Sequence, residues 1–555
     1  MAQNVIVYCK NTQTYKDYPL GTSLIEVMRD MELGGEHPYL AALVNNKLES
    51  LTYCVYKSKN VEFVNGMSSF GRRVYVHSLI MVLHKAVEDV LPGARIRVEH
   101  PISNGYFCHI LFPDQHYITL QEIALLKSRM SEIIATNLPI SREEKETTQV
   151  VELFKKRKQD DVANLLESLA EPFSTYYRIG NTIDYCDNVL LPSTGYLSIF
   201  DILPYYDGVL LQVPDKEDPK VLSEIIPQPK IMDIFKEFDD WSDISNIKNI
   251  SDINSICKEK GKAGILIKVF EALHEKKASQ IADQIKERGN VRLVLVAGPS
   301  SSGKTTFSKR LSIQLLVEGI IPFPISTDDY FVDRTHTPLD ENGNPDFETI
   351  EAMDLKLFNQ QLKDLMEGKE VLLSEYDFIQ GKKIFKRKCQ LPPNAVIVIE
   401  GIHALNPELT KEIDDAIKFK VYVSALTTIT LDNHNWISTT DTRLLRRILR
   451  DSRSRGYSAQ KTISQWPSVC KGEEKWIFPF QETADAVFNS ALPFEFSALK
   501  NEVEPVLMEV PKNRDEYAEA YRLLRFLRYI TPIANEEIPK TSLLREFIGG
   551  SSFNS

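Results

Sequence analysis

The chain has 555 residues, of which 43% are hydrophobic and 26% are charged, and its formal net charge is −11. This length exceeds what one hydrophobic core usually supports, so we expect roughly three to four domains. The acidic balance argues against a protein that binds nucleic acids non-specifically, although a local basic patch remains compatible with it.

The N-terminal sequence lacks the basic and apolar segments of a signal peptide, and no apolar run reaches the ~18 residues that a membrane helix needs. The 7 cysteines are scattered and form no CxxC pair, which argues against a disulfide framework and against a cysteine-rich zinc site. We therefore expect a cytoplasmic protein with reduced thiols and no membrane partner.

The first 65 residues alternate short apolar runs with turns. The spacing predicts strands over 4–9, 40–44 and 61–64 and a short amphipathic helix over 23–31. A small mixed sheet that wraps around one helix fits this order, so we predict a first domain over residues 1–65.

Residues 66–213 form a second predicted domain, of the α+β class. Its predicted elements are a helix over 76–90, strands over 95–100 and 106–112, helices over 120–135 and 143–170, and a strand-rich end over 185–213. Residues 214–288 are typical of a connector, because prolines and charged residues punctuate the start and a helix over 264–286 follows.

From residue 289 onward strands alternate with helices, which predicts an α/β domain with a doubly wound parallel sheet over residues 289–500. The predicted elements are strand 292–297, helix 304–318, strand 322–326, helix 352–367 and strands 395–399 and 419–423. Residues 501–555 follow as a C-terminal helix over 514–529 and a tail over 538–553.

A glycine-rich segment connects the first strand of this sheet with the first helix. Its sequence from Gly298 to Thr305, GPSSSGKT, matches the phosphate-binding loop pattern GxxxxGK[ST] in the strand–loop–helix setting that the pattern requires. Backbone N–H groups of such a loop turn toward phosphate oxygens, and the helix N-terminus adds partial positive charge. Lys304 is placed for the β- and γ-phosphates of ATP, and the Thr305 hydroxyl for Mg²⁺. We expect nucleotide contacts from Gly298, Ser300, Ser301, Ser302, Gly303, Lys304, Thr305 and Thr306.

Two acidic residues follow later strands of the same predicted sheet. Asp328 ends the second strand, where a carboxylate can accept the proton of an acceptor hydroxyl and direct that hydroxyl at the γ-phosphate. A loop-capping pair, Asp328 with Asp329, explains the pattern equally well. Glu400 ends the apolar run 396–399 and is predicted to lie near Mg²⁺, with an ordinary strand cap as the alternative.

Four arginines occupy one face of a predicted helix, because their positions are spaced at i, i+3, i+4 and i+7. They are Arg443, Arg446, Arg447 and Arg450. Four guanidinium groups on one face repel each other unless anions pair with them, and the phosphates of ATP beneath a closing lid are suitable anions. The alternative is a solvated helix whose arginines pair with the local acids Asp441 and Asp451. Beside a phosphate-binding loop we favour the lid.

Six motifs follow one another between residues 290 and 495, namely GPSSSGKTT, STDDYF, DFETIEAMD, YDF, VIVIEGI and DTRLLRRILRD. Together they resemble the uridine–cytidine kinase branch of P-loop kinases, which is related to phosphoribulokinase. One such motif is weak support for a family, whereas six in order and at family-like spacing are strong support. The resemblance implies an ATP-dependent kinase of a nucleoside that works with Mg²⁺.

The resemblance also implies roles for single residues. Asp328 is implied as the catalytic base, and Lys304, Arg443 and Arg447 as further catalytic residues. The implied substrate-binding residues are Asp328, Tyr330, Glu351 at the position of an aspartate that grips the ribose hydroxyls, Tyr376 and Asp377 in the nucleoside pocket, and Arg455. Arg446 and Arg450 are implied to bind ATP, and Thr305 and Glu400 to hold the metal.

The sequence departs from the family pattern at two places. Family members carry a histidine shortly after the YDF triplet that helps to read the pyrimidine, and here that place falls near Gly381 in FIQGKKIF. A second lid arginine, after the Arg-Gly pair, is replaced by Tyr457. The kinase assignment survives both changes, but the base specificity does not follow from it.

The N-terminal half resembles the front of threonyl-tRNA synthetase. Residues 1–65 resemble its ubiquitin-like TGS module, through GTSLIEVM and AALVNNKLESL, which implies a β-grasp fold. Residues 70–213 resemble its editing domain, through VHSLIMVLHKAV, LPGARIRVEHPISNGYFCHI, LPISREE and DYCDNVLLPSTGYL.

The editing domain of that family has an HxxxH pair and a CxxxH pair, and each pair is half-kept here. His77 is followed by Met81 in place of the second histidine, and Cys186 by Leu190 in place of its histidine. Thioether and isobutyl groups cannot replace imidazoles as bases or ligands of hard metals. We therefore expect a lost hydrolytic site, with His77 and Cys186 as packing residues.

The leading hypothesis is a kinase that transfers the γ-phosphate of ATP to the 5′-hydroxyl of a nucleoside such as uridine or cytidine. One alternative is a kinase of a purine nucleoside, or of a small alcohol or sugar phosphate, on the same scaffold. A second alternative is an RNA-associated sensor in which the nucleotide acts as a switch. The N-terminal half is expected to bind RNA or a regulatory ligand, and the protein to form a homo-oligomer.

Overall fold

A computed structural model of the chain describes residues 4–340, 343, 345–377 and 380–553. Phe378 and Ile379, which belong to the predicted YDF and FIQGKKIF segments, lie outside the described residues, as do the outermost residues of the first and last predicted domains. The described residues form helices and several separate sheets, one of them parallel, so the predicted α/β class is confirmed.

A five-stranded sheet with one helix against it forms the N-terminal part. Its elements are β1 (Asn4–Cys9), β2 (Thr14–Pro19), β3 (Thr22–Ser23), α1 (Leu24–Asp30), β4 (Tyr39–Val44), β5 (Lys47–Glu49), β6 (Cys54–Val55) and β7 (Lys59–Asn65). The strand order is β2-β1-β7-β4-β5, and β3 pairs with β6. Helix α1 begins with a capping box between Ser23 and Glu26. Its Leu24 and Val27 are buried in the same core as Val7 of the sheet, as expected for a β-grasp fold.

Two antiparallel sheets and a long buried helix follow. The elements are α2 (Ser69–Val90), β8 (Arg95–Ile102), β9 (Gly105–Leu111), α3 (Leu120–Thr136), β10 (Ser141–Glu146), α4 (Thr147–Lys156), α5 (Asp160–Leu169), β11 (Phe173–Ile179), β12 (Thr182–Asp184), β13 (Asp201–Tyr205) and β14 (Gly208–Gln212). The sheets have the orders β13-β14-β9-β8 and β10-β11-β12. Helix α2 contributes residues from Val74 to Val87 to the core that it shares with the larger sheet.

The helix predicted over 143–170 is wrong, because this segment contains β10, α4 and α5. Its first residues, 143–146, belong to β10, which pairs in antiparallel register with β11. Glu143 accepts hydrogen bonds from Tyr176 and Arg178 of that strand. Glutamate and lysine favour helices locally, but pairing with a distant strand decides the conformation here.

The connector is helical and leads into the parallel sheet. Its helices are α6 (Pro229–Ser245), α7 (Ile250–Lys258) and α8 (Lys262–Arg288), and the predicted helix over 264–286 lies within α8. The buried face of α8, including Phe270 and Ile281, belongs to the same core as Phe307 of the helix after the phosphate-binding loop. The connector therefore packs directly against the kinase-like part.

The parallel sheet has five strands and one accompanying hairpin. The elements are β15 (Leu293–Ala297), α9 (Lys304–Val317), β16 (Ile321–Ser326), α10 (Leu355–Met366), β17 (Glu370–Asp377), β18 (Lys382–Gln390), β19 (Ala395–Glu400), β20 (Lys418–Ser424), α11 (Thr439–Ser454), α12 (Ala459–Trp476) and β21 (Ala486–Asn489). The order is β16-β19-β15-β20-β21, with every pairing parallel. Strands β17 and β18 form an antiparallel hairpin. The carboxyl ends of β16, β15 and β19 therefore meet at one edge.

Three helices complete the chain, namely α13 (Glu495–Met508), α14 (Tyr517–Leu527) and α15 (Arg545–Ile548). Helix α14 is shorter at both ends than the helix predicted over 514–529. The short α15 lies in the predicted tail, and Phe547 and Ile548 in it are buried. Within the described ranges, no helix is both long enough and apolar enough to span a membrane.

Candidate active site at the edge of the parallel sheet

The phosphate-binding loop connects β15 with α9 as predicted and is largely enclosed. Ser300, Ser301 and Ser302 are buried, and Ser301 takes a left-handed backbone conformation with φ 58°. The N–H of Ser300 donates to Oε1 of Glu473 at 2.8 Å. The hydroxyl oxygens of Ser301 and Ser302 are buried without a hydrogen-bond partner in the described part of the chain. Such orphaned polar atoms beside a helix N-terminus fit a loop that receives a polar ligand.

The arginine face of α11 contacts this loop from behind. Arg443 forms a two-pronged ion pair with Glu473, with N–O distances of 2.5 and 2.8 Å, and lies 3.3 Å from the carbonyl oxygen of Ser300. Arg446 is paired in the same way with Glu495. Arg447 donates to the Ser300 hydroxyl at 2.7 Å. Arg443 and Arg446 are almost fully buried, and the anions that balance their charges are Glu473 and Glu495, which contact them but lie 30 and 49 residues away in the chain.

The alternative, in which the arginines pair with local acids, holds for Asp451 but not for Asp441. Asp451 pairs with Arg447, Arg450 and Arg455. Asp441 instead forms ion pairs with Arg522 of α14, at 2.7 and 2.8 Å. Arg450 and Arg455 are the members of the set that retain exposed surface. The residue-by-residue roles in a lid therefore stay predictions, and only part of the face is open to a ligand.

Glu400 ends β19 beside the first turn of α9. Its Oε1 accepts hydrogen bonds from the hydroxyls of Thr305, at 3.4 Å, and Ser326, at 3.2 Å. Its Oε2 is buried and has no hydrogen-bond partner in the described ranges. Removal from water raises the pKa of Glu400 to about 7, and the positive charge of Lys304 opposes the rise. A hydroxyl and an unsatisfied carboxylate oxygen are ligands that suit Mg²⁺.

Asp328 lies in the short turn that follows β16, on the same edge of the sheet. The Ser326 hydroxyl caps this turn by accepting the Asp328 N–H at 3.4 Å. Ser326, two residues before Asp328, is the register partner of Glu400 in the paired strands, and the negative charge of Asp328 contributes to the raised pKa of Glu400. Asp329 differs, because burial raises its pKa to about 6 and its carboxylate accepts a backbone hydrogen bond from Tyr376. The two aspartates therefore have different environments.

Glu348 is a candidate residue that the sequence did not single out. Burial raises its pKa to about 7, with Arg447, Glu473 and Lys304 as charged neighbours, and its Oε2 has no hydrogen-bond partner among the described residues. Glu351, predicted for the ribose hydroxyls, is exposed in the turn that follows. The motif DFETIEAMD contains four acids, namely Asp346, Glu348, Glu351 and Asp354, and only the fold distinguishes them.

Of the residues predicted to bind the acceptor, Tyr376 and Asp377 end strand β17, and Tyr330 lies in the turn after β16. Tyr330 is buried, and its hydroxyl donates to Gln361 at 2.8 Å. Tyr376 is buried at the end of β17, next to Asp377, whose carboxylate accepts the N–H of Gln380 at 3.0 Å. Tyr330 and Tyr376 thus belong to one buried hydrophobic cluster of the kinase-like part.

Gly381 has a conformation that a histidine would not replace easily. Its φ is +68°, in the left-handed region, and an added Cβ would lie 2.9 Å from the Cβ and 3.0 Å from Nε of Arg334. The N–H of Arg334 donates to the Gly381 carbonyl oxygen at 2.9 Å. A guanidinium group thus lies where the pyrimidine-reading histidine was expected.

The C-terminal tail returns to the phosphate-binding loop, a contact that no sequence pattern indicated. Glu546 accepts a hydrogen bond from the Thr306 hydroxyl at 2.6 Å and from the Thr306 N–H at 3.3 Å. Leu543 packs over Gly303 so closely that a side chain there would collide with it. The Phe547 ring lies 5.0 Å from the guanidinium carbon of Arg446. A carboxylate of the chain thus lies at the N-terminus of α9.

The remnant of the editing-type site is covered by a segment of the kinase-like part. Met81 and Leu190, the two replaced positions, are buried, as is Cys186. The ring of His77 stacks on Trp436 with centroids 4.5 Å apart and an interplanar angle of 17°. These contacts agree with His77 and Cys186 as packing residues, and they place the N-terminal half against the segment that leads into α11.

Comparisons with known proteins divide the chain in the same way. A family model described as Phosphoribulokinase / Uridine kinase family matches residues 293–493. Uridine kinase of Brevibacillus brevis is 32% identical over 203 residues, which cover 36% of this chain and 85% of that protein. Threonine–tRNA ligase of Syntrophomonas wolfei is 29% identical over 190 residues in the N-terminal part, which cover 34% of this chain. The chain spans only 29% of the length of that ligase.

A solved structure of D-glycerate 3-kinase from Cryptococcus neoformans aligns with 38% of this chain and 89% of its own, at 12% identity and a TM-score of 0.27. The composite that the sequence predicted, a uridine-kinase-like part that follows a ligase-like part, is confirmed by the family model and the two sets of relatives.

Proposed function

The chain belongs to the phosphoribulokinase/uridine kinase family and is an ATP-dependent phosphotransferase, and from this premise we propose that it phosphorylates the 5′-hydroxyl of a nucleoside. The observation that carries the proposal is the meeting of three strand ends, which bring the phosphate-binding loop, Asp328 and Glu400 to one edge of the sheet. Phosphoryl transfer depends mostly on positioning and charge neutralisation, and this edge supplies groups for both.

The donor side is built from the loop and α9. Backbone N–H groups of the loop bind phosphate oxygens, and Lys304 neutralises the β- and γ-phosphates. Arg447, which contacts Ser300, lies behind the loop and orients it. Arg443 and Arg446 act through the loop, because their guanidinium groups are enclosed by Glu473 and Glu495.

The acceptor side is built from the turn after β16 and the loop before α10. Asp328 accepts the proton of the 5′-hydroxyl, so that the hydroxyl oxygen attacks the γ-phosphorus while the bond to the β,γ-bridging oxygen breaks. We assign to Glu348 the contact with the ribose hydroxyls that the sequence assigned to Glu351, since the Oε2 of Glu348 is buried without a hydrogen-bond partner in the described ranges whereas Glu351 is exposed. Tyr376 and Asp377 border the pocket for the base.

Mg²⁺ is the metal that the family implies, and the residues present fit it. The Thr305 hydroxyl and the unsatisfied Oε2 of Glu400 are the groups that would hold it. When bound, the ion neutralises the phosphate charge that develops during transfer. The Oε1 of Glu400 accepts hydrogen bonds from the Ser326 and Thr305 hydroxyls, which keeps the carboxylate turned toward the loop.

The direct test is a panel of nucleosides with the full chain and Mg·ATP. We expect one class of nucleoside to give a monophosphate with stoichiometric ADP, detected by chromatography. Folded protein that forms no monophosphate from any nucleoside would contradict the proposal. Sugar phosphates and small hydroxy acids belong in the same panel, so that an active kinase with another acceptor is recognised as such.

A second candidate acceptor is a small alcohol that carries an anionic group. The observation that favours it is Arg334, which lies against Gly381 where a base-reading histidine was expected. Guanidinium groups bind carboxylates and phosphates in a two-pronged geometry. Substitution of Arg334 by methionine distinguishes the two acceptors, because it should raise the KM of an anionic acceptor but change that of a neutral nucleoside little.

We predict that Lys304→Ala lowers turnover by at least about 100-fold, because it removes the charge that stabilises the transferring phosphoryl group. The Tm should stay within about 2 °C of wild type, since the side chain is only partly buried. Steady-state turnover and thermal unfolding are the measurements. Lys286→Ala, a surface lysine that pairs with Glu318, is the control and should leave both unchanged. Turnover within tenfold of wild type in Lys304→Ala would contradict the donor-side assignment.

We predict that Glu546→Gln lowers the Kd of ATP and ADP by about 3- to 30-fold. The Glu546 carboxylate occupies the Thr306 donors, so the nucleotide must displace it, and the cost of displacement weakens the apparent affinity. Glutamine can still accept from Thr306, but it lacks the negative charge that the helix N-terminus stabilises and that repels phosphate, so its displacement costs less. Isothermal titration calorimetry measures the effect. Glu536→Gln, which changes an exposed acid just before the tail, should bind nucleotide as wild type does. Weaker binding in Glu546→Gln would mean that the tail completes the site instead of competing for it.

A further inference from the structure

Three buried side chains from separate elements meet between the two halves of the chain. His84 comes from α2, Asp184 from the end of β12, and His434 from the segment between β20 and α11. Nδ1 of His84 lies 3.1 Å from Oδ2 of Asp184, and Nδ1 of His434 lies 2.9 Å from both carboxylate oxygens. We propose that these three residues form a binding site for a divalent transition metal ion of the Zn²⁺ class, which joins the N-terminal half to the kinase-like part.

The donor set and its spacing suit such an ion. Two imidazole nitrogens and one carboxylate oxygen are the ligands that Zn²⁺ and its neighbours prefer, whereas Ca²⁺ and Mg²⁺ prefer oxygens alone. The three donor atoms lie within 4.8 Å of one another. An ion at ~2.0–2.2 Å from each ligand needs donors ~3.3 Å apart, so shifts below about 1 Å complete the site.

Groups around the three side chains hold them in place, as the outer shell of a metal site does. Oε1 of Glu88 lies 3.7 Å from Nε2 of His84, so a small approach would let this carboxylate accept the Nε2–H and orient the imidazole. The N–H of Tyr185 donates to Oδ1 of Asp184 at 2.8 Å, which holds the carboxylate in place. Asp432 accepts the backbone N–H of His434 at 2.9 Å, which holds the segment that carries this imidazole. Each of the two histidines therefore has a carboxylate beside it, Asp184 for both and Glu88 for His84, which favours a cation between them.

A cavity gives access and room for a fourth ligand. It has a volume of about 470 Å³ and is lined by His84 and His434 together with Glu88, Asp161 and Arg157. Sites with three protein ligands commonly complete their coordination with water from such an opening. The site lies apart from the phosphate-binding loop, so its existence does not depend on the proposed phosphoryl transfer.

The competing explanation is an ion pair without metal, with a protonated His434 on Asp184. Metal content of the full, untagged chain separates the two, after treatment with a chelator, reloading with Zn²⁺ and removal of excess ion. We expect about one Zn²⁺ per chain and a higher Tm on loading. His434→Gln and Asp184→Asn should weaken Zn²⁺ binding by about 100-fold or more, and His116→Gln, an exposed histidine, should not.

Two further measurements keep the test decisive. If His434→Gln fails to fold, His84→Gln takes its place, and the visible spectrum of the Co²⁺-loaded wild type reports nitrogen and oxygen ligands directly. Loss of binding in His77→Gln with retention in His84→Gln would overturn the proposal, because it places the ion at the neighbouring group His77, Cys186 and Asp187. Absence of stoichiometric Zn²⁺ in folded wild type would also overturn it, and the triad is then a plain ion pair.

Discussion

Asp328→Asn is expected to lower kcat by about 10²- to 10⁴-fold while the affinity for ATP and the thermal stability stay near those of wild type. The amide keeps the size of the carboxylate but cannot accept the hydroxyl proton, which is the contribution that a general base makes. Nucleotide binding should persist, because the loop and Lys304 on the donor side are unchanged. The side chain is only partly buried, so little stability is lost.

Asp329→Asn is the matched control for this substitution. Asp329 is the next residue in the chain and is also an aspartate, but its carboxylate accepts a backbone hydrogen bond from Tyr376. We expect its kcat to fall less than about tenfold, as for a change at the supporting structure. Near-normal turnover in Asp328→Asn would remove this residue from the base role, and a large loss in Asp329→Asn alone would transfer the role to its neighbour. Both enzymes are compared at saturating nucleoside and ATP.

The sequence was sufficient for the parts of the site that local patterns determine. A strand, a glycine-rich loop and a helix follow one another over residues 293–317, so β15, the loop and α9 were predictable from spacing alone. The parallel direction of β15, β16 and β19 was predicted from their alternation with helices, and this direction places Asp328 and Glu400 at one edge of the sheet. The partners of Glu400 itself came only from the fold, because Ser326 and Thr305 lie 74 and 95 residues away from it in the chain.

Contacts between distant residues could not be predicted in the same way. Glu546 reaches Thr306 across 240 residues of chain, and no local pattern in the tail marks it as a partner of the loop. The partners of the arginine face, Glu473 and Glu495, lie on α12 and α13, and sequence spacing pointed to nearer acids instead. The misassigned helix over 143–170 has the same origin, since pairing with β11 decides its first residues. Tertiary contacts override local preference in each case.

Arg446→Met is expected to lower the stability of the kinase-like part by about 3–5 kcal/mol. The guanidinium is fully buried and forms a two-pronged pair with Glu495, with a second bond to the Ser490 carbonyl oxygen at 2.9 Å. Methionine fills much of the volume but leaves the Glu495 carboxylate buried without a partner, which is the costly part of breaking a buried ion pair. In thermal unfolding we expect a transition lower by about 10 °C.

Two variants show whether the loss comes from the unpaired carboxylate. Arg446→Met combined with Glu495→Leu removes both charges and should recover most of the stability, since replacing a whole buried pair by apolar groups is often neutral. Arg450→Met, one turn further on the same face, should cost about 0–1 kcal/mol, because Arg450 is partly exposed and Asp451 keeps other partners. If Arg446→Met is as stable as Arg450→Met but binds ATP poorly, the guanidinium serves the nucleotide directly, as in the lid that the sequence predicted. If Arg446 and Glu495 instead stabilise the fold around the loop, Arg446→Met must be clearly less stable than Arg450→Met.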